Sequence, residues 1–395
     1  MKMHYRPFGQ LGWDVSALGF GTMRLPVLDG DTSRIDEERA ARMLRSAIDA
    51  GVNYVDTAYP YHGEKSEECV GRILRDGYRE KVKLATKLPI WDVEAYDDFY
   101  RYLEIQLKRL RTDTIDLYLI HALNTKHWEK TKQLKLLKAA EKAKMEGLIG
   151  HIGFSFHDEY PVFEQILAEY DGWEFCQIQY NFMDTEYQAG RKGLLEAARK
   201  GLAVVIMEPL KGGQIAAPPP DSIRPVWEEL GADFSGDTSG SPQSAGARNE
   251  HVALALQWLW DQPEVSTVLS GMSTFEQVEQ NLDSAARSKP RIFSEREKEL
   301  FDRLRREYAA LRKVDCTGCG YCMPCPNGVN IPRNLLLYNE LHMYGDLNQP
   351  RRVYNLVFGS RDRASNCIEC GECEEKCPQQ IPIIESLKRA HAALQ

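Results

Sequence analysis

Short, uniformly apolar runs alternate along most of the chain with longer stretches in which apolar residues recur every three to four positions. The first pattern suits strands buried on both faces, and the second suits helices with one buried face. Residues 19–21, 53–56, 82–87, 117–121, 149–155, 175–180, 203–207 and 265–270 are the predicted strands. Predicted helices include 38–50, 99–110, 128–145, 194–200 and 252–260, with a capping box of Ser273 and Glu276 opening the last helix of the series. Residues 5–20 have hairpin character. Repeated βα units in one domain-sized stretch predict an α/β fold, a (β/α)8 TIM barrel, with a doubly wound sheet as the alternative.

Residues 216–250 break this rhythm with Pro218, Pro219 and Pro220 followed by a Gly/Ser-rich tract. A long surface loop is expected there, a lid over the barrel's working face or a disordered segment. A charged helix over 294–313 then leads out of the barrel, giving a division into 1–310 and 311–395. The second part has helical patterning at 331–345 and 350–358, so a small, mostly α-helical domain is expected, with Tyr338, Leu341 and Tyr344 in its core.

That small domain holds eight of the ten cysteines: Cys316, Cys319, Cys322 and Cys325, then Cys367, Cys370, Cys373 and Cys377. Cys-x-x-Cys-x-x-Cys lets one tight loop direct three thiolates at one cluster, while a fourth cysteine before proline (Pro326, Pro378) serves the other. Two [4Fe–4S] clusters follow, one held by Cys316, Cys319, Cys322 and Cys377, the other by Cys367, Cys370, Cys373 and Cys325. The first run is one residue shorter than the second before its last cysteine. Four-cysteine zinc sites, which prefer separated Cys-x-x-Cys pairs, and disulfides, which need an oxidising compartment, are the competing readings. Cys69 and Cys176 lie outside both runs and read as buried apolar residues.

A formal net charge of −8 argues against nucleic acid as a general partner. No apolar stretch reaches the length of a membrane span and the N-terminus shows no signal-peptide pattern, so no membrane partner and a cytoplasmic location are expected. Lys130, Lys132, Lys135, Lys138, Lys142 and Lys144 form a basic segment, read as a solvated helix face, with docking of an acidic electron carrier as the sharper alternative.

Barrel enzymes keep their chemistry at the C-terminal ends of strands. Asp56, Lys87 and His121 end three successive predicted strands, and Tyr61 follows the first of them. Together they form a proton-donating site: the Lys87 ammonium stabilises a phenolate on Tyr61, Asp56 holds Lys87, and His121 hydrogen-bonds a substrate oxygen. Tyr59, Trp91, Phe156, Tyr180, His62, His157 and Asn181 also lie beside strand ends, as pocket lining or as rim packing.

The segments Gly51-Val52-Asn53-Tyr54-Val55-Asp56-Thr57-Ala58, Ser66-Glu67-Glu68, Leu84-Ala85-Thr86-Lys87 and Ile115-Asp116-Leu117-Tyr118-Leu119-Ile120-His121 resemble the aldo-keto reductase family. With Cys316-Thr317-Gly318-Cys319-Gly320-Tyr321-Cys322 and Cys367-Ile368-Glu369-Cys370-Gly371, the chain resembles the branch fused to a C-terminal 4Fe–4S ferredoxin-type domain. The resemblance implies a nicotinamide cofactor, NAD(P)(H), and a catalytic set of Asp56, Tyr61, Lys87 and His121. It also implies carboxamide contacts at Ser155 and Gln177, with Phe156 where an Asn is usual. A pyrophosphate loop at Glu208, Leu210, Lys211 and Gly212 is implied too, and contacts at Ser270, Gly271, Met272, Gln277 and Asn281. Gly271 and Gln277 stand where the family often has a Lys and an Arg on the 2′-phosphate. A barrel with phosphate-binding loops after its last strands also accommodates FMN.

The expected function is an oxidoreductase acting on a small-molecule carbonyl or alcohol, with the clusters relaying electrons to or from a ferredoxin or flavodoxin-like carrier. Two alternatives stand beside it: a plain NAD(P)H-dependent carbonyl reductase braced by its clusters, and a redox-sensing regulatory protein.

Overall fold

The computed structural model describes residues 2–234, 249–316, 318, 320, 322–344, 348–377 and 379–395. Cys319, Pro378 and most of the Gly/Ser-rich tract therefore lie outside the described residues. The chain divides into two compact units, Met1–Pro209 with Ala253–Phe293, and Leu210–Val252 with Ser294–Gln395.

In the first unit an antiparallel hairpin, β1 (Tyr5–Pro7) and β2 (Asp14–Ser16), precedes a closed parallel barrel. Its strands are β3 (Leu18–Gly21), β4 (Tyr54–Asp56), β5 (Lys83–Leu88), β6 (Ile115–Leu123), β7 (Ile149–Phe156), β8 (Phe175–Gln179), β9 (Ala203–Met207) and β10 (Thr267–Gly271), with β10 closing on β3. Each predicted strand is present, because a parallel barrel buries both strand faces and leaves the plainest apolar signal in the sequence. Tyr54, Leu117, Leu119, Phe175, Val205 and Leu269 fill the barrel, and Phe8 and Trp13 of the hairpin, stacked with ring centroids 4.4 Å apart, pack onto the same cluster. Gly9, at φ 55°, permits this: a Cβ there would run into the backbone entering β9.

The connecting helices are α1 (Glu37–Asp49), α2 (Ser66–Ile73), α3 (Asp98–Leu110), α4 (Thr125–Gln133), α5 (Leu136–Met145), α6 (Tyr160–Glu169), α7 (Gly190–Arg199), α8 (Arg224–Glu229), α9 (Glu250–Trp260) and α10 (Phe275–Ala286). Three expectations need correcting. The single helix over 128–145 is two, because Lys135 takes a left-handed conformation (φ 55°) at the break. The cap of α10 is Thr274, whose hydroxyl accepts from Gln277 N–H, and not Ser273. The surface loop over 216–250 contains α8, whose Pro225 occupies the first turn, where a missing N–H costs nothing. No helix among the described residues is long and apolar enough to cross a membrane.

In the second unit α11 (Glu295–Ala310) begins with a complete capping box, Ser294 and Glu297. Trp227 of α8 packs edge-on against Phe301, centroids 6.1 Å apart, and Tyr308 packs at a tilt against Tyr344. Then come α12 (Ile331–Met343), α13 (Asn348–Arg352), α14 (Glu372–Glu375) and α15 (Ile383–Leu394). Val329, Ile331, Leu335, Tyr338, Leu341, Tyr354, Ile383 and Leu387 form a core of their own, against which Cys316, Cys322, Cys325, Cys367, Cys373 and Cys377 pack. The helical character expected of this part and the core places of Tyr338, Leu341 and Tyr344 hold.

Candidate active site and cysteine hollows

Parallel registers bring Asp56 level with Ala85, and Lys87 level with Leu119, so successive strands deliver their terminal polar residues to one mouth of the barrel. Lys87 is 1% exposed and Asp56 is 3% exposed. Lys87 Nζ donates to both carboxylate oxygens of Asp56, at 2.8 and 2.9 Å, and to Thr57 O at 2.8 Å. A buried ion pair survives only when its hydrogen bonds are met in this way. Nζ also lies 5.1 Å from the Tyr61 ring centroid. Tyr61 stands edge-on to His121, centroids 6.4 Å apart, and the Trp91 ring lies tilted against His121, centroids 5.0 Å apart. The geometry thus brings Asp56, Tyr61, Lys87 and His121 together.

Burial works against the Lys87 charge, but Asp56 and the Tyr61 phenol outweigh it and hold the ammonium above its ordinary value. Burial pushes the Tyr61 phenol up, against the pull of Lys87, so the proton stays on the resting enzyme. His121 is pushed well below the usual histidine range, first by burial, then by Lys87, His157 and His127. Its imidazole is neutral, and its buried Nδ1 has no hydrogen-bond partner in the protein.

Behind Lys87 lies a polar network that sequence reading missed. Gln106 Nε2 donates to Lys87 O at 3.0 Å and to the fully buried Glu67 at 2.7 Å, Thr86 Oγ1 donates to Glu67 at 2.6 Å, and Tyr118 Oη donates to Gln106 at 2.7 Å. The available signal was a Glu and a Gln at positions that helical periodicity assigns to the buried faces of α2 and α3.

Of the cofactor candidates, Ser155 and Gln177 are buried and directly paired in register between β7 and β8. Ser155 Oγ accepts from Ala122 N–H at 2.7 Å, and Gln177 Oε1 is buried without a partner. Ser270 Oγ accepts from Asn281 Nδ2 at 3.0 Å, Gln277 Oε1 accepts from Ser273 N–H at 2.8 Å, and Met272 is buried. The stem of Arg24, another residue not anticipated, lies 3.3 Å from where a Gly271 Cβ would stand. Glu208 is left-handed at φ 54°. In the other unit Leu210 O accepts from Gly213 N–H at 2.9 Å, and Lys211, Gly212 and Gly213 all have positive φ.

Several suggested pocket residues are packing residues instead. Phe156 is fully buried against Phe163, Tyr180 donates to Gln262 and packs on Trp258, and Asn181 ties down Met183, Asp184 and Glu208 O. His62 is turned to the carbonyls of Thr22 and Thr32, and Tyr59 lies beneath the Arg109 guanidinium. The basic segment is largely engaged: Lys130 holds Ile90 O and Trp91 O, and Lys132, Lys142 and Lys144 pair with glutamates. Cys69 and Cys176 are buried.

In the second unit two hollows gather the cysteines. One, of about 390 Å³, is lined by Cys322, Cys325, Cys367, Cys370 and Cys373. The other, of about 330 Å³, is lined by Cys316, Cys322 and Cys377. None of the nine described cysteines is in a disulfide. Among the described residues no three His, Cys, Asp or Glu close on a single point as a mononuclear metal site does.

Residues 17–292 match the Aldo/keto reductase family, and residues 315–381 match the 4Fe-4S dicluster domain. The uncharacterized oxidoreductase YrpG of Bacillus subtilis (strain 168) is 31% identical over 305 residues, covering 70% of this chain and 89% of that protein. Aflatoxin B1 aldehyde reductase member 2 of Rattus norvegicus is 26% identical over 282 residues, covering 63% and 76%. Among solved structures, aldo-keto reductase AKR11C1 from Bacillus halodurans, holo form, superposes with a TM-score of 0.59 at 25% sequence identity, over 76% of this chain and 96% of that one. Fold, strand-end site and relatives define a barrel oxidoreductase. The chain belongs to the aldo/keto reductase family, and it carries a C-terminal 4Fe–4S domain.

Proposed function

We propose that the barrel interconverts a small-molecule carbonyl and its alcohol, and that two [4Fe–4S] clusters in the second unit connect this reaction to a one-electron carrier of ferredoxin or flavodoxin type. The observation that carries the reading is the buried Asp56–Lys87 pair beside the Tyr61 phenol and a neutral His121. In the reducing direction His121 hydrogen-bonds the carbonyl oxygen, Tyr61 Oη gives that oxygen its proton, and Lys87, held charged by Asp56, stabilises the phenolate left behind. A bound nicotinamide supplies the hydride, and the clusters supply or accept single electrons.

The residues fit both groups. Gln177 Oε1, buried and unpartnered, is an acceptor for a carboxamide N–H₂, with Ser155 beside it. In the first unit Glu208, Ser270, Gly271, Met272, Gln277 and Asn281 remain the candidates for the rest of the dinucleotide or for FMN, with the Arg24 side chain beside Gly271; Leu210, Lys211 and Gly212 are candidates on the family resemblance alone. The hollow lined by Cys325, Cys367, Cys370 and Cys373 and the one lined by Cys316 and Cys377, with Cys322 lining both, support two clusters with crossed ligand sets, in which the spacing gives Cys319 and Cys322 to the second. The nine described cysteines, none of them in a disulfide, suit a reducing cytoplasm.

Nicotinamide moves electron pairs and clusters move single electrons, so coupling requires a converter such as a flavin. Mass analysis of the small molecules released from anaerobically isolated protein identifies it. With Cys370 and Cys373 both changed to Ala, exchange with a one-electron carrier is expected to stop. If carrier-driven turnover persists in the folded variant, the clusters only brace the fold.

A further inference from the structure

We propose that α12 is the template on which both cysteine loops are set, with Asn339 and Asn334 acting as positioning residues for one loop each. The inference rests on the two-cluster reading above.

Both asparagines are buried in the core of the second unit, Asn334 at 0% and Asn339 at 4% exposure. Asn339 Oδ1 accepts from the N–H groups of Lys313 and Val314, at 2.9 and 3.0 Å, and its Nδ2 donates to Val314 O at 2.7 Å. The chain reaches Cys316 immediately afterwards. Asn334 Oδ1 accepts from Ala364 N–H at 3.0 Å, and its Nδ2 donates to Asp362 O at 2.8 Å and Asn330 O at 2.7 Å. The Cys367 run starts just beyond Ala364. Asn330 N–H also donates to Asp362 O at 3.0 Å, so the entry to the second run is held at two points.

A buried amide on an otherwise apolar helix face is costly unless its polar atoms are paired, and a leucine would serve the core better. Here each amide is spent on backbone of the segment that delivers a cysteine loop. The same helix supplies the walls: Ile331 lines both hollows, and Pro332 and Leu335 line the one shared by Cys316, Cys322 and Cys377. The clamps grip the chain just ahead of Cys316 and of Cys367, so each sets the leading three cysteines of one run, while Cys325 and Cys377, which the crossed sets give to the opposite cluster, lie at the far ends of the runs before proline.

The test is iron and sulfide content per chain, with EPR of the reduced full-length protein, for anaerobically reconstituted wild type, Asn339→Leu and Asn334→Leu. Wild type is expected to hold about eight irons and to show the magnetic interaction of two reduced clusters. Each variant is expected to hold about half as much iron, lose that interaction and leave a single-cluster spectrum, different in the two variants. Asn339→Leu should match Cys316→Ala, and Asn334→Leu should match Cys367→Ala. Where circular dichroism shows that a leucine variant has not folded, the serine variant, which keeps one acceptor, is judged by the same criterion. Retention of both clusters, or loss of both from a folded variant, overturns the template. A wild type holding about four irons or fewer overturns the two-cluster reading and the template with it.

Discussion

Ser155 on β7 accepts the Ala122 N–H of the neighbouring strand at 2.7 Å. Ala122 is left-handed (φ 53°), at the point where the β6–β7 register shifts, and its carbonyl lies 2.7 Å from His127 Nδ1. Held at both ends, this bulge aims His121 into the mouth instead of along the sheet. Ser155→Ala and His127→Ala are both expected to lower kcat/KM for the carbonyl substrate and to cost about 1 kcal/mol in stability each. Only Ser155→Ala should also raise the KM for nicotinamide. Steady-state kinetics with each substrate varied in turn checks this, and an unaltered carbonyl term in His127→Ala contradicts it.

The Asp56–Lys87 pair gives a second prediction. Asp56→Asn keeps the shape but leaves the Lys87 ammonium buried without its counter-charge, so a loss of about 3–5 kcal/mol is expected in urea denaturation. Lys87→Met with Asp56→Leu removes both charges and should recover much of that stability without recovering activity.

The pH dependence of folding follows from His121. Its pKa in the folded protein lies below the unfolded value of 6.5, chiefly through burial, so the unfolded chain binds the extra proton first. Stability is therefore full above about pH 6.5 and declines as pH falls below it. Glu174 adds to the acid side: His151, Lys144 and the Ile152 N–H outweigh its burial and hold its carboxyl down to about 2. Its contribution persists above the ordinary glutamate range and fades as pH drops toward 2. Urea midpoints measured from pH 8 to pH 4 should fall with a shallower slope in His121→Gln, and an identical slope removes His121 from this account.

The barrel was legible because its strands are short apolar runs, and in several of them a polar residue lies at or near the end, as in Tyr54-Val55-Asp56, so that the sequence displays both the element and the mouth it faces. The catalytic candidates were legible for the same reason. Periodicity reports that a face is buried but not against what, which is why Tyr180 and Phe156, beside strand ends, read equally as pocket lining or as packing, and the structure buries both. The left-handed break at Lys135 has no Gly or Asn to announce it, and Arg24 meets Gly271 only through the pairing of β3 with β10. The two cysteine runs gave candidate ligands by spacing, whereas nothing in the sequence of α12 announces that Asn339 and Asn334 hold the entries to those runs, 25 and 30 residues from the backbone they grip.

Single-turnover reduction of a carbonyl substrate by Tyr61→Phe tests the central claim most directly. The phenylalanine variant keeps the ring beside Lys87 and lacks only the hydroxyl that carries the proton. Its rate is expected to fall by about 10²–10⁴-fold with nicotinamide binding unaltered, while Trp91→Phe at the rim keeps most of its rate. A Tyr61→Phe rate within a few-fold of wild type contradicts the account.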